Sequence, residues 1–445
     1  MNKAYKLVSL FDGSGGFPLA GSMCGIIPVG ASEVEPYPIA VTKSRFPGMK
    51  HLGDITKING AEIEPVDIIT FGSPCQDLSV AGKRAGLKHE DNGDDETTRS
   101  GLFMEAVRII KEMREATNGR YPTYAVWENV PGAFSSNGGE DFRTVLEELI
   151  RIAEPSAVMP DVPKGGWAYA DWYMGDGWSI AYRVLDAQYW GVPQRRRRIY
   201  LVLDLGGERA GKILFERDGL RGYFAEGRTP WQGIAEDAQR CVGTDDRAGT
   251  IAYGISSYES NAMKSANPHS GIYEAQTGRT LDLNGGNPAC NQGGIVVVEQ
   301  GTFQNTGKGW WNESSVGATV RTPCGGDSTL ANTVAEKRDP RYIVRRLTPT
   351  ECARLQGFPD TWGHPDKKES LTDEEHAFWL GVRNTHAEIN GKAIKDYTRE
   401  QMLVWYNKLH TDSAEYKMWG NGIALPTALY VMQGIAEELE EQNDG

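Results

Sequence analysis

Along its first 200 residues the chain alternates short apolar runs with longer stretches of mixed polarity. Lys6 to Phe11, Ile27 to Val34, His51 to Ile55, Val66 to Phe71 and Tyr124 to Glu128 are short, rich in apolar and β-branched residues and bounded by turn residues, which predicts strands. Ser179 to Ala187 and Arg197 to Leu205 add two more. Pro38 to Arg45, Leu102 to Ala116 and Asp141 to Ile152 are predicted as helices, the second of them clearly amphipathic. Strands separated by helices imply βαβ units, so the pattern predicts an α/β, Rossmann-like fold around a mixed, mostly parallel sheet covered on both sides.

The pattern changes near Gly206. From there to about Val334 the chain is rich in Gly, Asn, Ser and Thr, with turn clusters such as Gly285-Gly286-Asn287-Pro288 and short strand candidates such as Gly294 to Glu299. Interleaved Trp, Tyr and Val favour a smaller, irregular β-rich domain over a flexible insertion. Helical character returns at Thr348-Pro349-Thr350-Glu351, which has a Thr cap, Pro at the first position and Glu at the third. A polar helical insertion is expected over about 367–417, on the surface, with further helix starts at Thr372 and Thr398. Gly420 to Pro426 then turns into a final helix reaching about Leu439. The expected division is 1–205, 206–340, and 341–445 as a return to the first domain.

Composition narrows the picture. The chain has 445 residues, 39% hydrophobic and 24% charged, as in ordinary globular proteins. No apolar run approaches the length of a bilayer span, and Met1 to Lys6 lead straight into a strand, so a cytoplasmic protein is expected. Six scattered cysteines with no CxxC and no closely spaced Cys/His pair argue against a disulfide framework and lead us to expect no metal. A net charge of −13 speaks mildly against nucleic-acid binding. Base is nevertheless concentrated at Arg195-Arg196-Arg197-Arg198 and around Arg338, Arg341, Arg345, Arg346 and Arg354, while acid gathers at Glu90 to Glu96 and Glu437 to Glu441. A segregated basic surface would hold phosphates despite the acidic total.

Candidate chemistry gathers at strand ends. The fourth strand runs through Gly72-Ser73-Pro74 into Cys75, placing a soft nucleophile where open α/β sheets bind ligands. By itself a lone thiol there also reads as a small buried side chain. The first strand ends in Phe11-Asp12-Gly13-Ser14-Gly15-Gly16-Phe17, whose glycines would let a cofactor approach the backbone. Pro18 breaks the GxGxxG pattern and disfavours a dinucleotide. Glu33, about 20 residues on, is spaced to accept ribose hydroxyls, and Asp54 could accept from an adenine amino group. Together these resemble an adenosine site without a pyrophosphate cradle. Glu128 ends another strand as a candidate acid whose pKa burial would raise, though a helix cap or a surface carboxylate fits that position too. In the arginine run, alternation puts Arg196 and Arg198 on one face and Arg195 and Arg197 on the other.

The ordered set resembles the DNA (cytosine-5) methyltransferases of bacteria and phages. The resemblance rests on Phe11 to Gly16, Glu33, Gly53-Asp54-Ile55, Pro74-Cys75-Gln76 followed by Ser79, Gly82 and Lys83, Arg99 to Leu102, Glu128-Asn129-Val130 and Gln194 with Arg196 and Arg198. It continues through Arg346 to Pro349, Glu351-Cys352, Leu355 to Pro359 and Gly420-Asn421-Gly422. It covers both ends of the chain and leaves out the Gly-rich middle and the polar insertion. Three departures stand out: Asp12 where the family commonly has a small residue, the acidic run Glu90 to Glu96, and the stretched spacing before the last motif.

The resemblance implies S-adenosylmethionine as cofactor, with S-adenosylhomocysteine as product, and Phe11, Gly13, Gly15, Gly16, Glu33, Asp54, Ile55, Pro74, Leu102 and Asn421 around it. It implies Cys75 as nucleophile at carbon 6 of a flipped-out cytosine, Glu128 at ring nitrogen 3, and Arg198, supported by Arg196, at the base's carbonyl oxygen. Gln76, Ser79, Lys83, Arg84, Arg195 and Arg197 would contact double-stranded DNA, with 206–340 as the target-recognition domain. A monomer near the nucleoid is expected, with a cognate restriction endonuclease as a candidate partner. The competing readings are a tRNA cytosine-5 methyltransferase and a catalytically inert DNA-binding relative.

Overall fold

In the computed structural model the described residues are 4–73, 101–215 and 347–444, together with the backbone of six short strands between 251 and 345. Eight strands form the main sheet: β1 (Lys6–Leu10), β2 (Ile27–Ser32), β3 (Lys50–Gly53), β4 (Ile68–Phe71), β5 (Tyr124–Asn129), β6 (Ala170–Gly175), β7 (Trp178–Asp186) and β8 (Arg197–Asp204). Their order is β3-β2-β1-β4-β5-β8-β7-β6. The first five are mutually parallel, whereas β8, β7 and β6 join by antiparallel pairing. The mixed, mostly parallel α/β sheet expected from the sequence is therefore the fold.

Strand alternation divides the core into two layers. Leu7, Ile68, Tyr124, Val126, Tyr200 and Val202 face one cluster, and Val8, Ile69, Ala125, Trp127, Leu201 and Leu203 face the other. Burial on both faces explains why these strands read as unbroken apolar runs. The first layer is closed by α1 (Gly16–Met23) and by α10 (Leu425–Asp444). The second is closed by α3 (Leu102–Ala116) and α4 (Glu140–Ala153), with Phe103, Trp127 and Phe142 in ring contact. Among the described residues no helix is long and apolar enough to cross a membrane.

Four features differ from the sequence reading. The glycine turn after β1 leads directly into α1, because Pro18 lies in its first turn, where its missing N–H has no helical partner to lose. The edge strand β6 carries exposed Trp172 and Met174, so its half-buried pattern escaped the search for apolar runs. Past the expected boundary at residue 205 the chain still packs with the first layer: Ala210, Ile213 and Leu214 of α5 (Ala210–Leu214) are buried there, and the Tyr430 hydroxyl donates to the Leu214 carbonyl. At the other boundary, β14 (Val344–Arg345) pairs with β11 (Gly294–Val298), so residues 344–345 join the smaller sheet. That sheet also holds β9 (Ile251–Ile255) and β10 (Ile272–Glu274), in the order β10-β9-β11-β14, and β12 (Phe303–Asn305) pairs with β13 (Trp311–Glu313).

The three threonine helix starts all form capping boxes, at α6 (Pro349–Leu355), α7 (Asp373–Ile389) and α8 (Arg399–Tyr406). The polar insertion is more than a surface decoration. Trp379, Met402, Tyr406 and Leu371 bury themselves against Ile39 and Ala40 of α2 (Pro36–Arg45). The apolar positions are sparse because two short helices share one small contact with α2.

Candidate active site

The parallel order reverses between β1 and β4, and the carboxyl ends of β1, β2, β3, β4 and β5 share one edge of the sheet. Such a switch point opens a crevice where ligands bind. The antiparallel β8 brings its first residues, Arg197 and Arg198, to the same edge.

At the first strand end, Phe11 adopts φ +57°, unusual for a non-glycine residue, and Gly13 and Gly15 adopt φ +54° and +77°. The Gly13 amide donates to Glu33 Oε2 at 2.9 Å, tying the two strand ends together. Val34 and Glu35 amides donate to Oε1 at 2.7 and 2.9 Å. Burial pushes the Glu33 carboxyl up while these amides pull it back. Oε1 is thus occupied, and Oε2 retains the acceptor capacity for a hydroxyl. Among the described residues, a side chain added at Gly13 would meet only the Phe11 carbonyl, at 3.9 Å, and one added at Gly53 would meet nothing within 4 Å. The backbone is therefore open-sided beside both Glu33 and Asp54. Asp54 Oδ1 caps the short turn Ile55–Lys57 through Thr56, and no described donor reaches Oδ2. Ile55 is buried beneath it, and Leu102, half-buried, opens α3. These observations fit a nucleoside; a methyl-donor nucleoside would be held by this carboxylate pair and the glycine loop.

The last motif closes over that loop. A Cβ at Gly422 would lie 2.7 Å from Ser14 Oγ, and one at Gly16 would lie 2.5 Å from Ile423. Trp362 Nε1 donates to the Ser14 carbonyl at 2.8 Å. Gln356, fully buried, donates to the Trp419 carbonyl at 2.9 Å and accepts at its own carbonyl from Leu425 N at 2.8 Å. Asn421 is exposed at the end of α9 (Asp412–Asn421). Trp362, Gln356 and Ile423 were not singled out individually by sequence reasoning; the neighbouring Leu355 to Pro359 and Gly420 to Gly422 motifs were the available signal.

The second half of the crevice is electrostatic. Glu128 is 9% exposed, and Arg198 Nε lies 3.1 Å from its Oε1. Burial raises the Glu128 carboxyl above its ordinary value, opposed first by Arg198 and then by Arg196. Gly72 has no side chain because a Cβ there would stand 3.2 Å from Glu128 Oε2. Asn129 Nδ2 donates to the Ser73 carbonyl at 3.1 Å, and Trp127 Nε1 to Ser73 Oγ at 3.3 Å. These bonds lock the end of β4, directly before Pro74-Cys75, to the strand bearing Glu128. Asn129 is thus a positioning residue, which the sequence presented only as part of a motif.

The four arginines divide by burial. Arg195 is exposed, Arg196 is 2% exposed, and Arg197 lies 4.7 Å from the Tyr169 ring. The strand begins only at Arg197, so strand alternation governs just part of the run. Arg196 supports the site differently from expectation. Its Nη2 donates to the carbonyls of Gly420, at 3.2 Å, and Gly422, so besides acting on the Glu128 carboxyl it clasps the last motif. Pro74, Cys75, Gln76, Ser79, Lys83 and Arg84 lie outside the described residues, as does the acidic run Glu90 to Glu96.

Comparison with known proteins matches this arrangement. Over 99% of both chains the fold resembles the Dnmt2 methyltransferase of S. pombe, with a TM-score of 0.51 and 16% identity. The chain is 28% identical to the DNA N-6-adenine-methyltransferase of Escherichia phage P1 across 96% of its own length and 60% of that protein's. It is 25% identical to the type II methyltransferase M.HhaI of Haemophilus parahaemolyticus, over 82% of this chain and 88% of that one. It is 32% identical to M.BsuFI of Bacillus subtilis over 45% of this chain and 40% of that one. The chain thus spans only 60% of the phage P1 relative and 40% of M.BsuFI, less than two thirds of either. The family model for C-5 cytosine-specific DNA methylases matches residues 5–153 and 174–375, and the chain belongs to that family.

Proposed function

We propose that this chain methylates carbon 5 of a cytosine within a specific sequence of double-stranded DNA, using S-adenosylmethionine. The observation that carries the reading is the Glu128–Arg198 pair at 3.1 Å, with Glu128 on the strand to which Ser73, two residues before Cys75 in the chain, is bonded. Carbon 5 of cytosine is a poor nucleophile. Addition of the Cys75 thiolate to carbon 6 makes the ring an enamine, and Glu128, whose carboxyl burial shifts upward, delivers a proton to ring nitrogen 3. Arg198 holds the base's carbonyl oxygen. Bound S-adenosylmethionine supplies an electrophilic methyl group. Loss of the carbon 5 proton to solvent, expulsion of the Cys75 thiolate and return of the nitrogen 3 proton to Glu128 restore the aromatic ring and the enzyme. Because carbon 6 is inaccessible in a stacked duplex, the base must be flipped out to reach Cys75. Residues 206–340 are the proposed target-recognition segment, and Arg195, Arg197, Gln76, Ser79, Lys83 and Arg84 the proposed DNA contacts.

The name of the phage P1 relative favours a second reading, methylation of adenine nitrogen 6. An exocyclic amine carries its own lone pair and needs no thiol adduct, so the Glu128–Arg198 constellation supports cytosine. The matched part is also only 60% of that protein. Bisulfite sequencing and nucleoside mass spectrometry of DNA and tRNA from a host expressing the chain, compared with the same host without it, test both. We expect 5-methylcytosine in one context; N6-methyladenine alone, or methylation confined to tRNA, would replace the proposal. Cys75→Ser is expected to abolish product and the covalent adduct with 5-fluorocytosine DNA. An active Cys75→Ser enzyme would overturn the mechanism.

A further inference from the structure

Away from the crevice, folding assembles a cluster that no sequence spacing announces. His364 lies between α6 and α7, His410 lies between α8 and α9, and Glu415 is in the first turn of α9. One ligand atom from each falls within 4.8 Å of the others. His410 Nε2 is 2.9 Å from Glu415 Oε2, and His364 Nε2 is 4.0 Å from the same oxygen. We propose that these three side chains form a structural site for a divalent transition-metal ion, zinc in the first instance, that staples the two ends of the polar insertion onto α9.

The chemistry of the set favours this occupant. Zinc takes imidazole nitrogen and carboxylate oxygen at about 2.0–2.2 Å, so tetrahedral ligands stand about 3.3–3.6 Å apart. The separations of 2.9 and 4.0 Å bracket that edge, and small side-chain rotations would equalise them. Calcium and magnesium prefer more oxygen ligands than this site offers. The His364 side chain is 49% exposed, leaving one face open for water to complete the shell.

The surroundings are ordered as around a metal ligand. Glu415 is only 2% exposed, and among the described residues no Lys or Arg lies within 4.0 Å of its carboxylate. A buried carboxylate without a cation is costly, and two imidazoles sharing a dication would neutralise it. Trp419 Nε1 donates to Glu415 Oε1 at 3.2 Å, which leaves Oε2 turned toward both histidines. The Tyr37 ring stacks on His410, with centroids 5.7 Å apart and planes 6° apart, and its hydroxyl donates to the Gly363 carbonyl. Outer contacts of this kind fix ligand orientation at metal sites. Gly363 packs so closely that a Cβ there would lie 2.5 Å from Glu415 Oε1. The staple would also steady α9, whose far end presents the Gly420 and Gly422 carbonyls to Arg196.

The test uses the full chain, stripped with EDTA and desalted, then titrated with zinc against a chromophoric chelator. The same samples are followed by thermal melting. We expect one zinc per chain, a rise in Tm of several degrees, and a cobalt-substituted form with the intense visible bands of tetrahedral geometry. His364→Ala and His410→Ala should each weaken binding at least about tenfold and abolish the rise in Tm. His364→Ala is the cleaner variant, because its exposed ring can be removed without opening the core. No stoichiometric zinc in the wild type would overturn the proposal. Equal affinity and an equal rise in Tm in wild type and both variants would also overturn it, and would move the zinc to other ligands such as cysteines.

Discussion

The buried carboxyl of Asp12, in the glycine loop after β1, makes a quantitative prediction. The side chain is 8% exposed, and neither carboxylate oxygen has a partner of good hydrogen-bond geometry. Burial pushes its pKa from 3.8 to about 8, with the Glu33 carboxylate adding to the rise and the Ser9 hydroxyl opposing it. A group whose folded pKa is raised holds its proton more tightly when folded. Its contribution to stability is therefore complete below pH 3.8 and is lost as pH rises to about 8. Each pH unit in that interval removes about 1.4 kcal/mol, a total of roughly 4–6 kcal/mol. Asp12→Asn keeps the shape and removes the titration. Urea unfolding of both proteins from pH 5 to pH 9, without cofactor or DNA, reads the difference. The gap in unfolding free energy should move in favour of the variant by about 1.4 kcal/mol per unit up to about pH 8, and then level off. Parallel curves would refute the reasoning, since they would mean that Asp12 is already ionised and compensated at neutral pH.

Three further outcomes follow from the same geometry. Glu128→Gln should lower kcat by about 10²–10⁴ while leaving the KM for DNA nearly unchanged, as measured by steady-state methyl transfer; an equal loss confined to KM would assign Glu128 to binding. Asn129→Ala removes the donor to the Ser73 carbonyl, two residues before Cys75 in the chain, so it should cost about 1–3 kcal/mol in urea unfolding and slow formation of the 5-fluorocytosine adduct. Gly16→Ala drives a methyl group into Ile423 at 2.5 Å, costing about 1–3 kcal/mol, and Ile423→Ala in the same chain should recover much of that loss in thermal melting.

Much of this site was legible along the chain. Strands β1, β4 and β5 were readable because two-sided burial turns them into short apolar runs, and the residues at the end of each run then fall at one sheet edge. Glu128 could be found in that way, whereas Glu33 and Asp54 follow the partly exposed β2 and β3 and were read from their places at the ends of those weaker runs. The helix starts at Thr348, Thr372 and Thr398 were equally legible, since a capping box is a contact between residues three apart. Strand β6 and helix α1 were not: one is an edge strand with exposed aromatic residues, and the other begins inside a glycine loop that reads as a turn.

The sequence by itself determined the α/β class, the order of the chemical groups and the strand end that bears each of them, because all three follow from local periodicity and from residue type. Only the tertiary structure decided which groups meet. Arg198 reaches Glu128 because β8 pairs antiparallel to β5, and Arg196 closes on carbonyls 224 and 226 residues away. His364, His410 and Glu415 converge only when the two ends of the insertion fold against α9. Such contacts join side chains far apart in the chain. Their partners are chosen by the packing of buried elements and by the need to satisfy buried charge, and neither leaves a periodic trace in the order of residues.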